Sequence, residues 1–337
     1  MKRNRKSVVF VVMLLILCFA YAALFGVYNY YGDIPTTYFK GAAEAGEITC
    51  DFEIDGGVEA IFKPQKKNSV AITNEDVDAA KQMLSERISY YKLQNPSLFP
   101  LSEIEVDYTN KQVVVRLLYT DEVSTLANQS STQTTGLTVA LDSVHEIAPK
   151  YSKVVFDAMP LAGLIALAVI LVVFVALYRV AGFVSSVAVL GQFAGIVACV
   201  TGFFSPFNGF VLTVPFIAGA ILSIGMGVGS SAFINERIKA ELCKGKTVEG
   251  AVKTGYKNTW PALLEGNGIA IIVAVVLMLA GGTAANNPLF TFGAALLVGA
   301  IWNLIMIAGL SRVMMTSLVA NKAFRNPKLY GGVKNVK

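Results

Sequence analysis

Charge is scarce in this chain. Of its 337 residues, 15% are Asp, Glu, Lys or Arg and 54% are hydrophobic, with a mean hydropathy of +0.57. A soluble domain needs more charge than this to stay dissolved, so the balance points to a membrane protein. Histidine is nearly absent: His145 stands alone and cannot build a metal site by itself. The four cysteines are Cys18, Cys50, Cys199 and Cys243, and no C-x-x-C occurs. Cys18 and Cys199 lie inside apolar runs and Cys243 in a loop between two others, so no intrachain disulfide is expected for Cys50. The sequence also lacks a nucleophile–base pair, a metal-ligand cluster and a phosphate loop. No enzyme, no cofactor and no nucleic-acid partner is therefore expected.

What is present is a set of long apolar runs: residues 8–28, 159–178, 181–204, 210–233, 261–279 and 289–313. Each approaches the ~20 residues that span a ~30 Å hydrocarbon core, which predicts a six-helix transmembrane bundle. Lys2, Arg3, Arg5 and Lys6 precede the first run and place the N-terminus in the cytoplasm. Ala20-Tyr21-Ala22 resembles a cleavage site, so a cleaved signal peptide competes with a first membrane helix, and either one exports the polar region after it. The segments then assigned to the cytoplasm carry 17 Lys/Arg against three acids, Glu236, Glu241 and Glu249. The external hairpins 205–209 and 280–288 carry no charge, so the positive-inside rule holds at every short loop. The expected organisation is residues 1–30 as cytoplasmic tip and first helix, 31–158 as an extracytoplasmic domain with a linker, 159–318 as helices two to six, and 319–337 as a basic cytoplasmic tail.

Residues 31–158 are polar, with 19 Asp/Glu against 11 Lys/Arg. Gly56-Gly57 introduces a strand over 58–62. Thr73 or Asn74 caps a helix over 75–91, with Val77, Ala80, Leu84 and Ile88 on one face. Residues 104–108 and 112–118 flank Thr109-Asn110-Lys111, a hairpin signal. The result is β-α-β-β, half or more of a small ferredoxin-like α+β domain. A polar linker follows at 128–135, then a further strand at 137–141 and a helix over 142–157 that runs into the membrane.

The membrane half carries ordered motifs. Leu212-Thr213-Val214-Pro215-Phe216-Ile217-Ala218-Gly219 leads into Ile224-Gly225-Met226-Gly227-Val228 and then Ile234-Asn235-Glu236-Arg237-Ile238. This resembles the fourth membrane segment of SecD, which reads L-T-L-P-G-I-A-G and then I-G-M-A-V-D-A-N-V-L-I-N/F-E-R-I. Glu241-Leu242-Cys243-Lys244-Gly245-Lys246-Thr247 is similar to the family's E-L-x-x-G-K-S, Leu263-Leu264-Glu265-Gly266-Asn267 stands at its D-A-N, and Tyr178-Arg179-Val180-Ala181-Gly182 looks like its Y-R-x-x-G. Outside, Asp55-Gly56-Gly57-Val58 is similar to its L-K/R-G-G-V strand. The resemblance is to the SecD/SecF branch of the resistance-nodulation-division superfamily, close over residues 155–320 and loose over 1–118. It implies a multi-pass protein of the bacterial cytoplasmic membrane, partnered by a SecF-like subunit, the SecYEG channel, exported polypeptide and the lipid bilayer.

Two departures stand out. The family's outer region is larger and includes a mobile head, whereas here only about 128 residues separate the first two runs. The family's proton-carrying carboxylate, in G-M-A-V-D, falls on Gly229. One acid remains inside an apolar run, Glu265, and an ionisable group in a bilayer is a functional candidate. Lys257 precedes Glu265 by eight residues, roughly 12 Å of helix, and Gly229 precedes Arg237 by the same interval, so the two positions share a depth. Glu265, with Asn267, is the proton-coupling candidate. The competing reading is a carboxyl near the interface or one hydrogen-bonded to Asn267, Ser230 or Ser231. Gly225 and Gly229 form G-x-x-x-G, joined by Gly219 and Gly227 as a helix-packing surface. Asn235, Glu236 and Arg237 are carried by the family motif. Asn303, beside Trp302, is expected to make an interhelical hydrogen bond, and Pro215 and Pro261 to sit at helix starts or kinks. The basic loop 235–257 is expected to be partly an amphipathic helix on anionic lipid.

The leading functional expectation is a SecD-like accessory subunit assisting polypeptide export, proton-driven through Glu265. A half-transporter of the same superfamily and a scaffold that has lost proton coupling are the alternatives. The small outer domain counts against the former, and Gly229 favours the latter.

Overall fold

The computed structural model describes residues 5–25, 27–31, 34–39, 50–66, 71–94, 101–127, 137–150, 153–200, 211–282 and 287–331. The linker expected at 128–135 lies outside them. The chain divides into two compact units, one of Thr49–Ala158 and one of Met1–Ile48 with Met159–Lys337.

The larger unit begins with α1 (Arg5–Phe25), followed by an antiparallel hairpin of β1 (Val27–Tyr31) and β2 (Ile34–Phe39). The described apolar stretch of α1 is Val11–Ala23.

The smaller unit opens with a single turn, α2 (Phe52–Asp55), then β3 (Gly57–Lys66), α3 (Asn74–Gln94), β4 (Ser102–Asp107), β5 (Gln112–Leu117), α4 (Thr120–Ala127) and β6 (Leu137–Ile147). The strands pair in the order β4-β5-β3-β6, all antiparallel. Alternation decides which way each side chain faces. Val58, Ala60 and Phe62 of β3 and Val113, Val115 and Leu117 of β5 are buried. They pack under Val77, Ala80, Leu84 and Ile88 of α3 and under Val123 and Leu126 of α4. Each such large side chain contributes about 1.5–3 kcal/mol of transfer free energy. The other face is polar, where Arg116 reaches Glu59 at 3.1 Å, Glu105 at 3.3 Å and Glu103 at 3.4 Å.

Local chemistry sets the ends of these elements. Thr73, not Asn74, caps α3: its Oγ1 accepts from the Asp76 N–H, and Asp76 accepts from the Thr73 N–H at 2.8 Å in return. Asp107 takes the N–H groups of Thr109 and Asn110 in the β4–β5 turn, and Lys111 completes it at φ 56°. A Cβ on Gly56 would lie 2.6 Å from the Ile147 carbonyl and one on Gly57 2.6 Å from the Leu117 carbonyl, so this pair lets β3 enter between β5 and β6.

The segment 142–157 differs from expectation. Residues up to Ile147 continue β6, paired with β3 along its whole length, and helix begins only at Lys153. Pro149 disfavours helix in the residue before it and separates the two elements.

The membrane part comprises α5 (Lys153–Tyr178), α6 (Val180–Val200), α7 (Val214–Cys243), α8 (Val248–Gly281) and α9 (Pro288–Asn303). From α9 the chain runs through a π-helical turn, Leu304–Leu310, into α10 (Ser311–Val319). Among the described residues five helical rods are long and apolar enough to cross a membrane, with α9 to α10 counted as one. Two-thirds of α6 is buried against about a sixth of the apolar window of α5, so α6 runs through the centre. Its Val184, Ala188 and Val189 pack with Ile234 and Ile238 of α7, Ile307 of the π turn, and Met314 and Met315 of α10.

The basic loop 235–257, expected to be partly helical, is helical on both sides of a tight turn and forms a hairpin between the third and fourth of these rods. α7 continues to Cys243, Lys244 to Lys246 turn at Gly245 (φ 83°), and Thr247 caps α8 through the Gly250 N–H at 3.2 Å. The buried Glu241 carboxylate holds the turn, 2.7 Å from the Lys244 ammonium and also paired with Lys246. Polar composition resembled a loop because both helices outrun their apolar stretches. Pro261 consequently lies inside α8, while Pro215 sits in the first turn of α7.

Candidate functional site

Among the described residues the bundle's apolar interior also holds buried polar, uncharged side chains away from the α7–α8 turn. Gln192 of α6 is fully buried, and its amide donates to the backbone carbonyls of Ser223 at 2.9 Å and Gly299 at 3.3 Å. Asn303, at the end of α9, donates to Asn267 Oδ1 at 3.0 Å and to Ser230 Oγ at 3.3 Å, tying α8 and α7 together. Asn267 donates in turn to the Leu263 carbonyl at 2.8 Å. Asn235 donates to Ser185 at 2.8 Å, Thr213 to Thr291 at 2.7 Å, and Tyr256 shares a 2.9 Å bond with Ser311. These rungs join helices where hydrocarbon would leave polar groups unsatisfied.

The glycines of α7 divide between two faces. A Cβ on Gly219 would lie 2.9 Å from Ala295 Cβ, and one on Gly227 would collide with the Gln192 amide oxygen, so these two face inward. Gly225 and Gly229 are exposed and have nothing within 4 Å of an added Cβ. Among the described residues they meet no neighbouring helix, so the four glycines do not form one surface.

Glu265 is exposed, as is Gly266 beside it, and an added Cβ on Gly266 meets nothing within 4 Å. Asn267 is 3% exposed. Two residues along a helix turn about 200°, which sends Glu265 outward and Asn267 inward. Asn267, Ser230 and Glu265 are therefore not brought together: the first two share Asn303. That rung also fixes heights. Glu265 lies roughly 3 Å from it towards the α7–α8 turn and Gly229 roughly 1.5 Å the other way, a separation of less than one helical turn.

Glu236 is exposed, 3.8 Å from Lys239, and Arg237 lies over the Phe233 ring at 5.2 Å. The expected interhelical bond of Asn303 is present. Gln192 was not anticipated, although a lone amide in the run Val187-Ala188-Val189-Leu190-Gly191-Gln192-Phe193 is itself a signal of a helix contact.

Several long apolar helices joined by buried hydrogen bonds define a multi-pass membrane protein. A family model, protein export membrane protein SecD/SecF, C-terminal, matches residues 127–317. The chain belongs to this family. The SecD protein translocase subunit of Leptotrichia buccalis is 27% identical over 271 residues, covering 80% of this chain and 57% of that protein. The SecD subunit of Sebaldella termitidis is 31% identical over 176 residues, 52% of this chain and 41% of that one. The chain thus spans about half the length of the curated relatives it matches. A crystal structure of SecDF from Thermus, a translocon-associated membrane protein, shares the fold with a TM-score of 0.56 at 16% identity, over 96% of this chain and 60% of that one. A SecDF structure in a super-membrane-facing form gives 0.53 at 15% identity, over 94% and 57%.

Proposed function

We propose that this chain is a SecD-like accessory subunit that assists polypeptide export through the SecYEG channel in the cytoplasmic membrane. In this reading it crosses the membrane six times with α1 as the first span, keeps both termini in the cytoplasm and carries residues 31–158 outside. The outer unit is a ferredoxin-like sandwich, a reading supported by its β-α-β-β-α-β succession and its strand order.

The observation that carries the proposal, beside family membership, is the open surface of α7 and α8. Gly225 and Gly229 on α7 and Gly266 on α8 are exposed with open space beside them, and Glu265 is exposed on α8 next to Gly266. Hydrocarbon is a costly neighbour for a carboxyl, and small residues admit a close helix. A SecF-like six-helix subunit supplies such a helix and buries the carboxyl. The test is purification of the tagged chain from its native membrane. Recovery of a SecF-like subunit and SecYEG supports the reading, and recovery of neither contradicts it.

Two observations favour a scaffold without proton coupling: Gly229 stands where the resemblance places the family's carboxylate, and among the described residues the ladder around Asn303 has no acid. Proton flux through the purified pair separates the two. Flux that disappears in Glu265→Gln supports coupling, and no flux in the native pair supports the scaffold.

A further inference from the structure

At the end of the bundle that carries the α7–α8 turn, a cavity of about 560 Å³ opens between the start of α8 and α10. Its polar lining is Glu249 and Lys253 from α8 and Arg312, Thr316 and Ser317 from α10. Lys253 and Arg312 are exposed and have no ion-pair partner among the described residues. The one carboxylate, Glu249, lies 4.0 Å from Arg325. Ser317 is 8% exposed and has no hydrogen bond among the described residues, so its hydroxyl is free to donate into the cavity. The Thr316 proton is spent on the Arg312 carbonyl at 2.8 Å. Two unpaired cations and a free hydroxyl around one cavity suit a phosphate group, with Arg312 able to grip two oxygens at once.

The surface around the cavity indicates where that phosphate comes from. Lys253, Lys257, Trp260 and Leu264 succeed one another at helical spacing on α8, and all are exposed. A face that passes from lysine through tryptophan to leucine marks the level of lipid headgroups, where tryptophan is enriched. Val313, next to Arg312, is 43% exposed and continues the apolar surface. We infer that the cavity between α8 and α10 holds the phosphate of an anionic phospholipid headgroup, clasped by Lys253 and Arg312 and completed by Ser317. The site is separate from the Glu265 surface and does not depend on the chain's role in export.

Native mass spectrometry of the purified full chain with defined lipids tests this. Phosphatidylcholine carries the same phosphate without net negative charge and serves as the reference. Phosphatidylglycerol should be retained at least about fivefold over phosphatidylcholine. The Lys253→Ala/Arg312→Ala double variant should lose that preference, while Lys253→Arg/Arg312→Lys should keep most of it. If the double alanine variant fails to fold, Arg312→Gln replaces it, with the same expected loss. Inorganic phosphate at about 10 mM should leave the lipid bound. Equal retention of the two lipids, or an unchanged preference in the charge-removing variants, overturns the site. Displacement of the lipid by inorganic phosphate overturns the lipid as its occupant.

Discussion

The Gln192 side chain occupies the space that a β-carbon on Gly227 would need. The amide is held there by the Ser223 and Gly299 carbonyls, and Ile307 closes the same gap at 2.9 Å. Gly227 and Gln192 therefore form a matched pair in this chain. Gly227→Ala should cost about 1–3 kcal/mol by overpacking and lower the melting temperature of the detergent-solubilised protein. Combined with Gln192→Ala it should show a coupling of at least about 0.5 kcal/mol. Simple additivity would mean that the two side chains do not compete for the space.

The Asn303 rung is the bundle's link between α9, α8 and α7. Asn303→Leu removes two hydrogen bonds and should cost roughly 0.6–2 kcal/mol, the range for interhelical polar contacts in membranes. Membrane insertion should be unchanged, because hydrophobic length decides it. Thermal denaturation with an insertion assay checks both, and undiminished stability would contradict the rung's structural role.

Asp76 gives the outer unit a pH dependence. The Lys66 ammonium, at 2.7 Å, and the Thr73 N–H and hydroxyl hold its carboxyl at about 2, below the ordinary 3.8. A depressed folded-state value stabilises the fold above the ordinary value, and that contribution is lost as pH falls through 3.8 towards 2. Hydrogen exchange of the α3 amides in the full chain reads this locally. Asp76→Asn should reduce protection at neutral pH and should show a smaller change between pH 4 and 2 than the native chain.

Glu265→Gln separates a working carboxyl from a packing one. If Glu265 loads and releases protons, the variant should assemble normally and lose proton-dependent export by at least about 100-fold, the lower end of the range for removing a positioned acid–base group. An export assay in vesicles under an imposed proton gradient measures it, and full activity would remove Glu265 from the mechanism.

Local pattern made much of the architecture legible. The period-2 alternation of β5, the Val77, Ala80, Leu84 and Ile88 face of α3 and the apolar lengths of α5 to α9 are all readable from neighbouring residues. What escaped depends on distant partners or on helix phase. Residues 142–147 are strand because β3, some 80 residues earlier, pairs with them. The helical hairpin at 235–257 was obscured because charge appears before helix ends. Glu265 and Asn267 looked like one site in sequence, yet the 200° between them sends one to the open surface and the other to Asn303. Gln192 needed Gly227, 35 residues away, to acquire meaning.

The central claim is that the Gly225, Gly229 and Glu265 surface is covered by a second membrane subunit. A photo-crosslinking amino acid placed at position 229 and activated in native membranes tests it most directly. An adduct with a SecF-like polypeptide is expected at position 229 and is absent when the probe replaces Val172, an exposed residue of α5. Adducts with lipid alone at position 229 would contradict it.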